Sequence, residues 1–291
     1  MSGQLYLLPC PISEAPALDA LPASTVETAR RIDHFLVEAA RTARATLKAM
    51  GHPKPIAELD IVEIGHDPAP ELISEWLQPV LDGADAAVLS ESGCPGVADP
   101  GAQIAARAHE LGIRVVPLTG PSSILLTLMA SGLDGQRFRF SGYLPKHDAE
   151  RRAAILAAEK ESRASETQLF IETPYRNTAL LDALLETLAP DTRLTVAIDV
   201  TGQNESIRTL TAAAWKAIPK AMRTLPKLPT VFAFLAKPGK TAPRYAPECA
   251  GGKRAHTAPS SKPAVLNNRP KQANKTHRPE GSPVKTPKGG R

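Results

Sequence analysis

The sequence predicts an α/β protein with two α/β units, and three observations support this fold class. Apolar, strand-like runs alternate with helix-like runs along residues 4–236. Three loops rich in glycine, proline and small polar residues each follow a strand-like run. The length of 291 residues allows about two domains of roughly 100–200 residues each. Alternation of this kind is typical of largely parallel sheets whose strands are joined by helices.

The first unit is expected over residues 1–122. Its strand-like runs are short and rich in aliphatic residues, as buried strands are, and they lie at 4–8, 59–65, 84–90 and 113–118. The run at 99–111 is helical in composition, with Asp99 as a candidate N-cap residue.

Residues 26–50 allow two interpretations. Apolar residues from Ala29 to Leu47 fall on one face of a single long helix, with Arg41 and Arg44 on the opposite face. The run at 34–38 (HFLVE) would also serve as a short buried strand. The pattern alone favours the single helix.

The second unit is expected over residues 123–236. The boundary falls near a helix predicted at 121–131, with Pro121 in its first turn. Strands are predicted at 137–143, 168–172, 193–200 and 230–235, and helices at 148–160, 177–188 and 211–218.

Charge separates this acidic body from a basic tail. The net charge of the chain is +5, but residues 237–291 alone hold 13 basic and two acidic residues, which leaves the body at −6. The same segment holds nine prolines, so it buries too little apolar surface to fold and is expected to be disordered. It is either a solubilising extension or an arm that contacts nucleic-acid phosphates.

Several classes of protein are not expected from this composition. No stretch approaches 18 uninterrupted apolar residues, and the N-terminus lacks the pattern of a secretory signal. The three cysteines lie far apart and the seven histidines show no triad spacing, so neither a metal site nor a disulfide framework is predicted. We therefore expect a cytoplasmic protein with no membrane partner.

The three small-residue loops, at 8–13, 90–101 and 118–123, are the candidate ligand-binding segments. In open α/β sheets, ligands bind beyond the carboxyl ends of the strands. The second loop, SESGCPGVADPG, holds three glycines, which permit positive φ and a close approach of ligand to backbone. The dinucleotide fingerprint, the P-loop and the nucleophile elbow are all absent from the sequence.

This second loop resembles the Ser-Asp-Ala-Gly-Thr-Pro-Gly-Ile-Ser-Asp-Pro-Gly signature of the tetrapyrrole methylase superfamily. Six further segments resemble, in order, motifs of the branch that 2′-O-methylates a cytidine of small-subunit ribosomal RNA. They are LYLLPCPISE (5–14), LTGPSS (118–123), SGL (131–133), FSGYLP (140–145), FIETPYRN (170–177) and LPTVF (228–232). The resemblance covers about residues 4–236 and none of the tail.

The resemblance implies two α/β domains with S-adenosylmethionine in the cleft between them, and commonly a homodimer. It also implies that 34–38 is a strand with Glu38 at its carboxyl end, and we adopt helix–strand–helix there. The donor-binding residues that it implies come from the loops of both units. They are Pro11, Ser90, Glu91, Gly93, Pro95, Ala98, Asp99, Ser122, Ser123, Pro174, Thr201 and Thr230.

Methylation of a ribose hydroxyl benefits from a general base, and Glu38 is the first candidate. The alternative for Glu38 is an ion pair with Arg41. Glu172 is the second candidate, and its alternative is a cap for the helix that follows Pro174. Arg41 and Arg44 are the predicted substrate-binding residues, with ribosomal RNA or the small ribosomal subunit as the expected partner.

The chain departs from the family motif next to Glu38, where Ala39 and Ala40 replace an aspartate and a threonine. This departure leaves two other functions open: a methyltransferase acting on a tetrapyrrole or another small molecule, and a catalytically inactive donor-binding protein. The acidic body favours a small acceptor, because RNA normally requires a basic face.

Overall fold

The computed structural model describes residues 2–14 and 16–238, and all of these belong to one compact unit. The predicted basic tail lies outside the described residues apart from Lys237 and Pro238. Among the described residues, no helix is long and apolar enough to cross a membrane.

The first sheet has five parallel strands in the order β3-β2-β4-β1-β5. The strands are β1 (Gln4–Leu8), β2 (His34–Val37), β3 (Asp60–Glu63), β4 (Ala86–Leu89) and β5 (Arg114–Pro117). The helices are α1 (Ala17–Ala20), α2 (Ala23–Ala29), α3 (Ala40–Ala49), α4 (Pro70–Trp76), α5 (Gln78–Leu81) and α6 (Ala102–Glu110), with a 3₁₀ turn at Ile56–Glu58. Central strands β2 and β4 are buried along their whole length.

Strand β2 settles the ambiguous segment in favour of the helix–strand–helix interpretation. Phe35, Leu36 and Val37 are fully buried in succession. An amphipathic helix would expose some of three consecutive residues, whereas a central strand of a parallel sheet is covered on both faces. The apolar face at helical spacing is real, but it is divided between α2 and α3.

The second sheet has the order β6-β7-β10-β8-β9. Its strands are β6 (Phe138–Tyr143), β7 (Thr167–Glu172), β8 (Arg193–Ile198), β9 (Ser206–Thr211) and β10 (Thr230–Leu235). The helices are α7 (Ser123–Ser131), α8 (Asp148–Ser162), α9 (Asn177–Thr187) and α10 (Ala212–Ala217), with a 3₁₀ turn at Lys220–Arg223.

The expectation of largely parallel strands is wrong for this second sheet. Only β6 and β7 are parallel, and the other three pairings are antiparallel. The loop at 199–205 is too short for the crossover of a dozen or more residues that parallel neighbours need, so β9 must return antiparallel to β8. Strand β10 runs antiparallel to both β7 and β8. It therefore begins at the sheet edge where they end, and Thr230 pairs with both Glu172 and Ile198.

Two predicted helix starts are also wrong, and both differences affect the site. Helix α6 begins at Ala102 with Gly101 at its N-cap, so Asp99 lies in the preceding loop and caps nothing. The φ of Gly101 is 131°, which only glycine adopts readily. Helix α7 begins at Ser123 with Ser122 at its N-cap, so Pro121 precedes the helix.

Four buried apolar clusters cover the two sheets, one on each face. The largest fully buried side chains include Phe35 in the first sheet and Phe170, Phe232 and Phe234 in the second. Burial of each such ring stabilises the fold by about 1.5–3 kcal/mol. One cluster joins the two sheets, because Ile12 from the loop after β1 packs with α7 against Val231 of β10.

Candidate functional site

The site lies where the first sheet reverses its winding. Strand β1 leads to β2 on one side and β4 leads to β5 on the other, so the loops after β1 and β4 flank a topological switch point. A β-bridge joins these two loops, with Cys10 N–H donating to the Gly93 carbonyl at 2.8 Å and Gly93 N–H donating back at 3.2 Å. The Cys94 thiol donates to the carbonyl of Pro121 at 3.4 Å. The structure therefore brings together the three loops that the sequence singled out.

The second loop holds a non-glycine residue in the left-handed region. Ala98 has φ of 65°, between Gly96 and Gly101, which also have positive φ. A strained residue of this kind costs about 1–3 kcal/mol and persists only where the surrounding structure fixes it. The strain lies directly beside Asp99.

The second sheet supplies the opposite wall of the site. Glu172 ends β7 and is followed by Thr173 and Pro174. Val200 and Thr201 follow β8, and Thr230 begins β10. The antiparallel direction of β10 is what places Thr230 at this edge. Thr201 has φ of 68°, so backbone strain occurs on this wall too.

The walls enclose a cavity of about 320 Å³, which we call the donor cavity because several residues predicted to bind the methyl donor line it. This volume is within the range of small-molecule sites. Eight of the predicted site residues line it: Gly93, Ala98, Asp99, Ser122, Ser123, Glu172, Pro174 and Thr230.

The remaining predicted donor-binding residues lie around it. Pro11, Glu91 and Thr201 line a second cavity of about 600 Å³, which adjoins the first along Ile12, Ser92 and Pro229. Ser90 and Pro95 are buried in the loop and line neither cavity. The Ser90 hydroxyl donates to the Ser92 carbonyl at 3.2 Å, so it shapes the loop from within.

The Glu38 carboxylate holds the second loop and does not line the donor cavity. Its Oε2 accepts from the Glu91 backbone N–H at 2.9 Å, and its Oε1 lies 3.2 Å from Nδ1 of His66. The ion pair considered between Glu38 and Arg41 is replaced by this contact with His66.

The Glu172 carboxylate lines the donor cavity but is strongly bound by its neighbours. Arg176 donates from Nε and Nη2 at 2.6–3.1 Å, and the Thr173 backbone N–H donates at 2.6 Å. The side chain of Glu172 is 3% exposed. Helix α9 has Arg176 at its N-cap, so Glu172 does not cap it.

Asp99 is the carboxylate of the donor cavity that remains available. Among the described residues, no hydrogen bond or ion pair holds its side chain. Partial burial and the negative charges of Glu38 and Glu91 raise the pKa of Asp99 to about 6, while His66 acts in the opposite direction. Burial and Asp99 also raise the pKa of the Cys94 thiol, and burial raises that of Cys10 to about 12.

His66 is the functional candidate that sequence reasoning missed. It follows β3 at the same sheet edge as Glu38 after β2, and this placement was a signal available in the sequence. His66 and Asp99 line a small cavity of about 230 Å³ next to the donor cavity. The imidazole of His66 therefore joins the predicted carboxylates Glu38 and Asp99 at this sheet edge.

The predicted substrate-binding residues lie on the surface of α3. Arg41 and Arg44 are exposed on the same face as Lys48, one turn beyond Glu38. The ring of Tyr175, which follows the cavity residue Pro174 in the chain, is exposed, and Nζ of Lys227 lies 5.3 Å from its centroid.

A family model described as Tetrapyrrole (Corrin/Porphyrin) Methylases matches residues 17–215. The chain is 29% identical over 212 residues to Ribosomal RNA small subunit methyltransferase I of Pseudomonas aeruginosa, covering 73% of this chain and 71% of the relative. It is 34% identical over 188 residues to the protein of that name from Escherichia coli O157:H7, covering 64% of this chain and 60% of the relative.

A solved structure supports the fold. The methyltransferase CobJ matches with a TM-score of 0.54 over 81% of this chain and 95% of that protein, at 16% sequence identity. At this identity the match concerns the arrangement of the two sheets alone.

Proposed function

Because the chain belongs to the tetrapyrrole methylase family and is a methyltransferase by that membership, we propose that it methylates small-subunit ribosomal RNA. The methyl donor is S-adenosylmethionine, and the acceptor is the 2′-hydroxyl of a cytidine ribose. The observation that carries this proposal is the similarity of up to 34% identity to relatives named for small-subunit ribosomal RNA methylation. The reaction then takes place in the cytoplasm.

The donor cavity fits S-adenosylmethionine in size and charge. The donor carries a positively charged sulfonium, which carboxylates attract. Asp99 lines the cavity, and Glu38 and Glu91 lie close enough to interact with it electrostatically. Glycine and strained backbone in the second loop let main-chain groups approach the ligand closely. We assign the donor to the residues of this cavity, with Pro11, Glu91 and Thr201 at its border.

The chain contributes to the reaction mainly by positioning. When bound, the donor supplies an electrophilic methyl group on a positively charged sulfur. The walls from the two sheets must hold the acceptor oxygen about 3–3.5 Å from that carbon and in line with the bond that breaks. The Glu38 carboxylate supports this geometry by fixing the Glu91 backbone amide, and therefore the loop that carries Ala98 and Asp99.

The RNA binds outside the acidic cavity. Arg41, Arg44 and Lys48 are exposed on one face of α3, and none of the three has an ion-pair partner among the described residues. Their charges suit a phosphate backbone. The exposed ring of Tyr175, with Lys227 above it, suits stacking on an unpaired base. The basic residues of 237–291 add further phosphate contacts.

We also propose that the protein is a homodimer. Helix α7 presents Leu125 and Met129 to solvent, and the side chain of Met129 is 78% exposed. Large apolar side chains exposed side by side on one helix are a common mark of an interface.

The proposal is tested by incubating the purified protein with labelled S-adenosylmethionine and small ribosomal subunits that lack its methylation. Digestion to nucleosides and mass spectrometry should then reveal 2′-O-methylcytidine. If the protein transfers the label to a supplied tetrapyrrole or other small molecule and not to the RNA, the result favours the small-molecule acceptor. Donor binding without transfer to any acceptor would favour the inactive donor-binding protein.

A further inference from the structure

Four titratable side chains line the donor cavity, and three of them are unsuited to accept a proton. Glu172 is bound by Arg176 through both carboxylate oxygens. The Cys94 thiol donates a hydrogen bond to the Pro121 carbonyl, and its raised pKa keeps the thiol protonated and neutral. Tyr143 stands at the exposed rim. The fourth side chain is Asp99.

Asp99 is placed as a proton acceptor should be. Its carboxylate has no hydrogen-bond or ion-pair partner within the described part of the chain, so both oxygens are available to a ligand. It lines the donor cavity and also the small cavity that holds His66, and it therefore stands between the reaction centre and an exposed imidazole. The left-handed backbone of Ala98 fixes the point from which the side chain projects.

We propose that Asp99, and not Glu38 or Glu172, is the general base of the methyl transfer; this inference rests on the proposed function. The acceptor oxygen forms a bond to the methyl carbon, and the carbon–sulfur bond breaks with its electron pair remaining on sulfur. The hydroxyl proton passes to the Asp99 carboxylate. Sulfur loses its positive charge, the aspartate becomes neutral, and the product is an ether.

The surrounding charges suit this role. Glu38, Glu91 and His66 face Asp99 from the segments after β2, β4 and β3 respectively, and the Cys10 and Cys94 thiols lie within its field. A pKa of about 6 leaves the carboxylate mostly ionised at neutral pH and still basic enough to accept a proton. His66 is 80% exposed and lines the same small cavity as Asp99, and this cavity gives the proton a route to water.

The test compares wild type with Asp99→Asn, which keeps the shape of the side chain and removes its basicity. Single-turnover methylation of small ribosomal subunits is measured at saturating S-adenosylmethionine, and the donor Kd is measured by calorimetry. We expect the rate at saturating donor to fall by about 100-fold or more, as is typical for loss of a general base. The donor Kd should weaken by at most about tenfold, because Asp99 is one of several carboxylates whose charge attracts the sulfonium. Asp191→Asn, an exposed aspartate just before β8, is the matched control and should change neither value.

Three outcomes would count against the inference. An Asp99→Asn variant with a rate near that of wild type overturns it. If Asp99→Asn weakens donor binding by as large a factor as it lowers the rate, and more donor restores the rate, Asp99 binds the donor and the inference is also overturned. A wild-type protein that binds the donor but methylates no small-subunit RNA overturns the proposed function first, before any variant is compared.

Discussion

Removal of Arg176 tests whether the Glu172 carboxylate is a structural anchor of the donor cavity. Arg176→Ala deletes three hydrogen bonds of 2.6–3.1 Å to a side chain that is 3% exposed. Glu172 is then left with the Thr173 amide and hydroxyl as its partners among the described residues.

The size of the effect follows from burial. Breaking a buried ion pair by removing one partner costs about 3–5 kcal/mol, because a charge stays buried without compensation. Arg176 is 32% exposed, so water can replace part of the lost interaction. We therefore expect the free energy of unfolding to fall by about 3 kcal/mol, the lower limit of this range. For a chain of this size that loss lowers Tm by about 6–12 °C.

Chemical denaturation of wild type and variant at pH 7 measures the change in the free energy of unfolding. Arg139→Ala is the matched control, because its ion pair with Glu161 is 58% and 50% exposed and should contribute less than about 1 kcal/mol. The double variant Glu172→Gln with Arg176→Met should recover most of the loss, since no charge remains buried. If Arg176→Ala costs no more than the Arg139 control, Glu172 is not anchored as described.

Three further predictions concern proton transfer, RNA binding and assembly. The pH profile of kcat/KM for the donor should rise through about pH 6 as Asp99 ionises. Glu38→Gln should move the midpoint of this profile to lower pH, because the charge of Glu38 raises the pKa of Asp99. His66→Gln should move it to higher pH, because the charge of His66 lowers that pKa. If neither variant moves the midpoint, Asp99 is not the group whose ionisation sets the profile. Arg44→Ala should weaken RNA binding in filter-binding assays and reduce the slope of log K against log salt by about 1. An unchanged slope would mean that Arg44 contacts no RNA phosphate. Met129→Glu should halve the mass seen by light scattering, and a monomeric wild type would refute the dimer.

The all-parallel first sheet could be predicted because its strands are short apolar runs with turn-forming loops between them. Strand β2 could not be predicted from periodicity, since apolar residues before and after it continue one helical face. Only burial on both sides of the sheet, a tertiary property, decides between the two. The resemblance supplied that information indirectly, through the position of Glu38.

The second sheet was less predictable. Strand β9 (SIRTLT) lies at the edge of the sheet and carries polar residues, so it lacks an apolar run. Its signal was the alternation of β-branched Ile207, Thr209 and Thr211. The antiparallel direction of β10 depends on which strands it joins, and no local pattern encodes that choice.

The three loops that meet at the cavity could be singled out from the sequence, because they are rich in glycine, proline and small residues and follow strands, whereas the individual donor-binding residues stay predictions that the resemblance implies. The chemical role of each carboxylate could not be predicted from the sequence. Glu38 and Glu172 were chosen as candidate bases by position alone, but the hydrogen bonds in the structure engage both carboxylates and leave Asp99 without a partner among the described residues.

The most direct test of the central claim is mass spectrometry of small-subunit ribosomal RNA from cells with and without this protein. The account predicts that one 2′-O-methylcytidine disappears when the protein is absent. It also predicts that wild type restores this methyl group and that Asp99→Asn, expressed at the same level, does not. Small-subunit RNA with identical methylation in both strains would contradict the account.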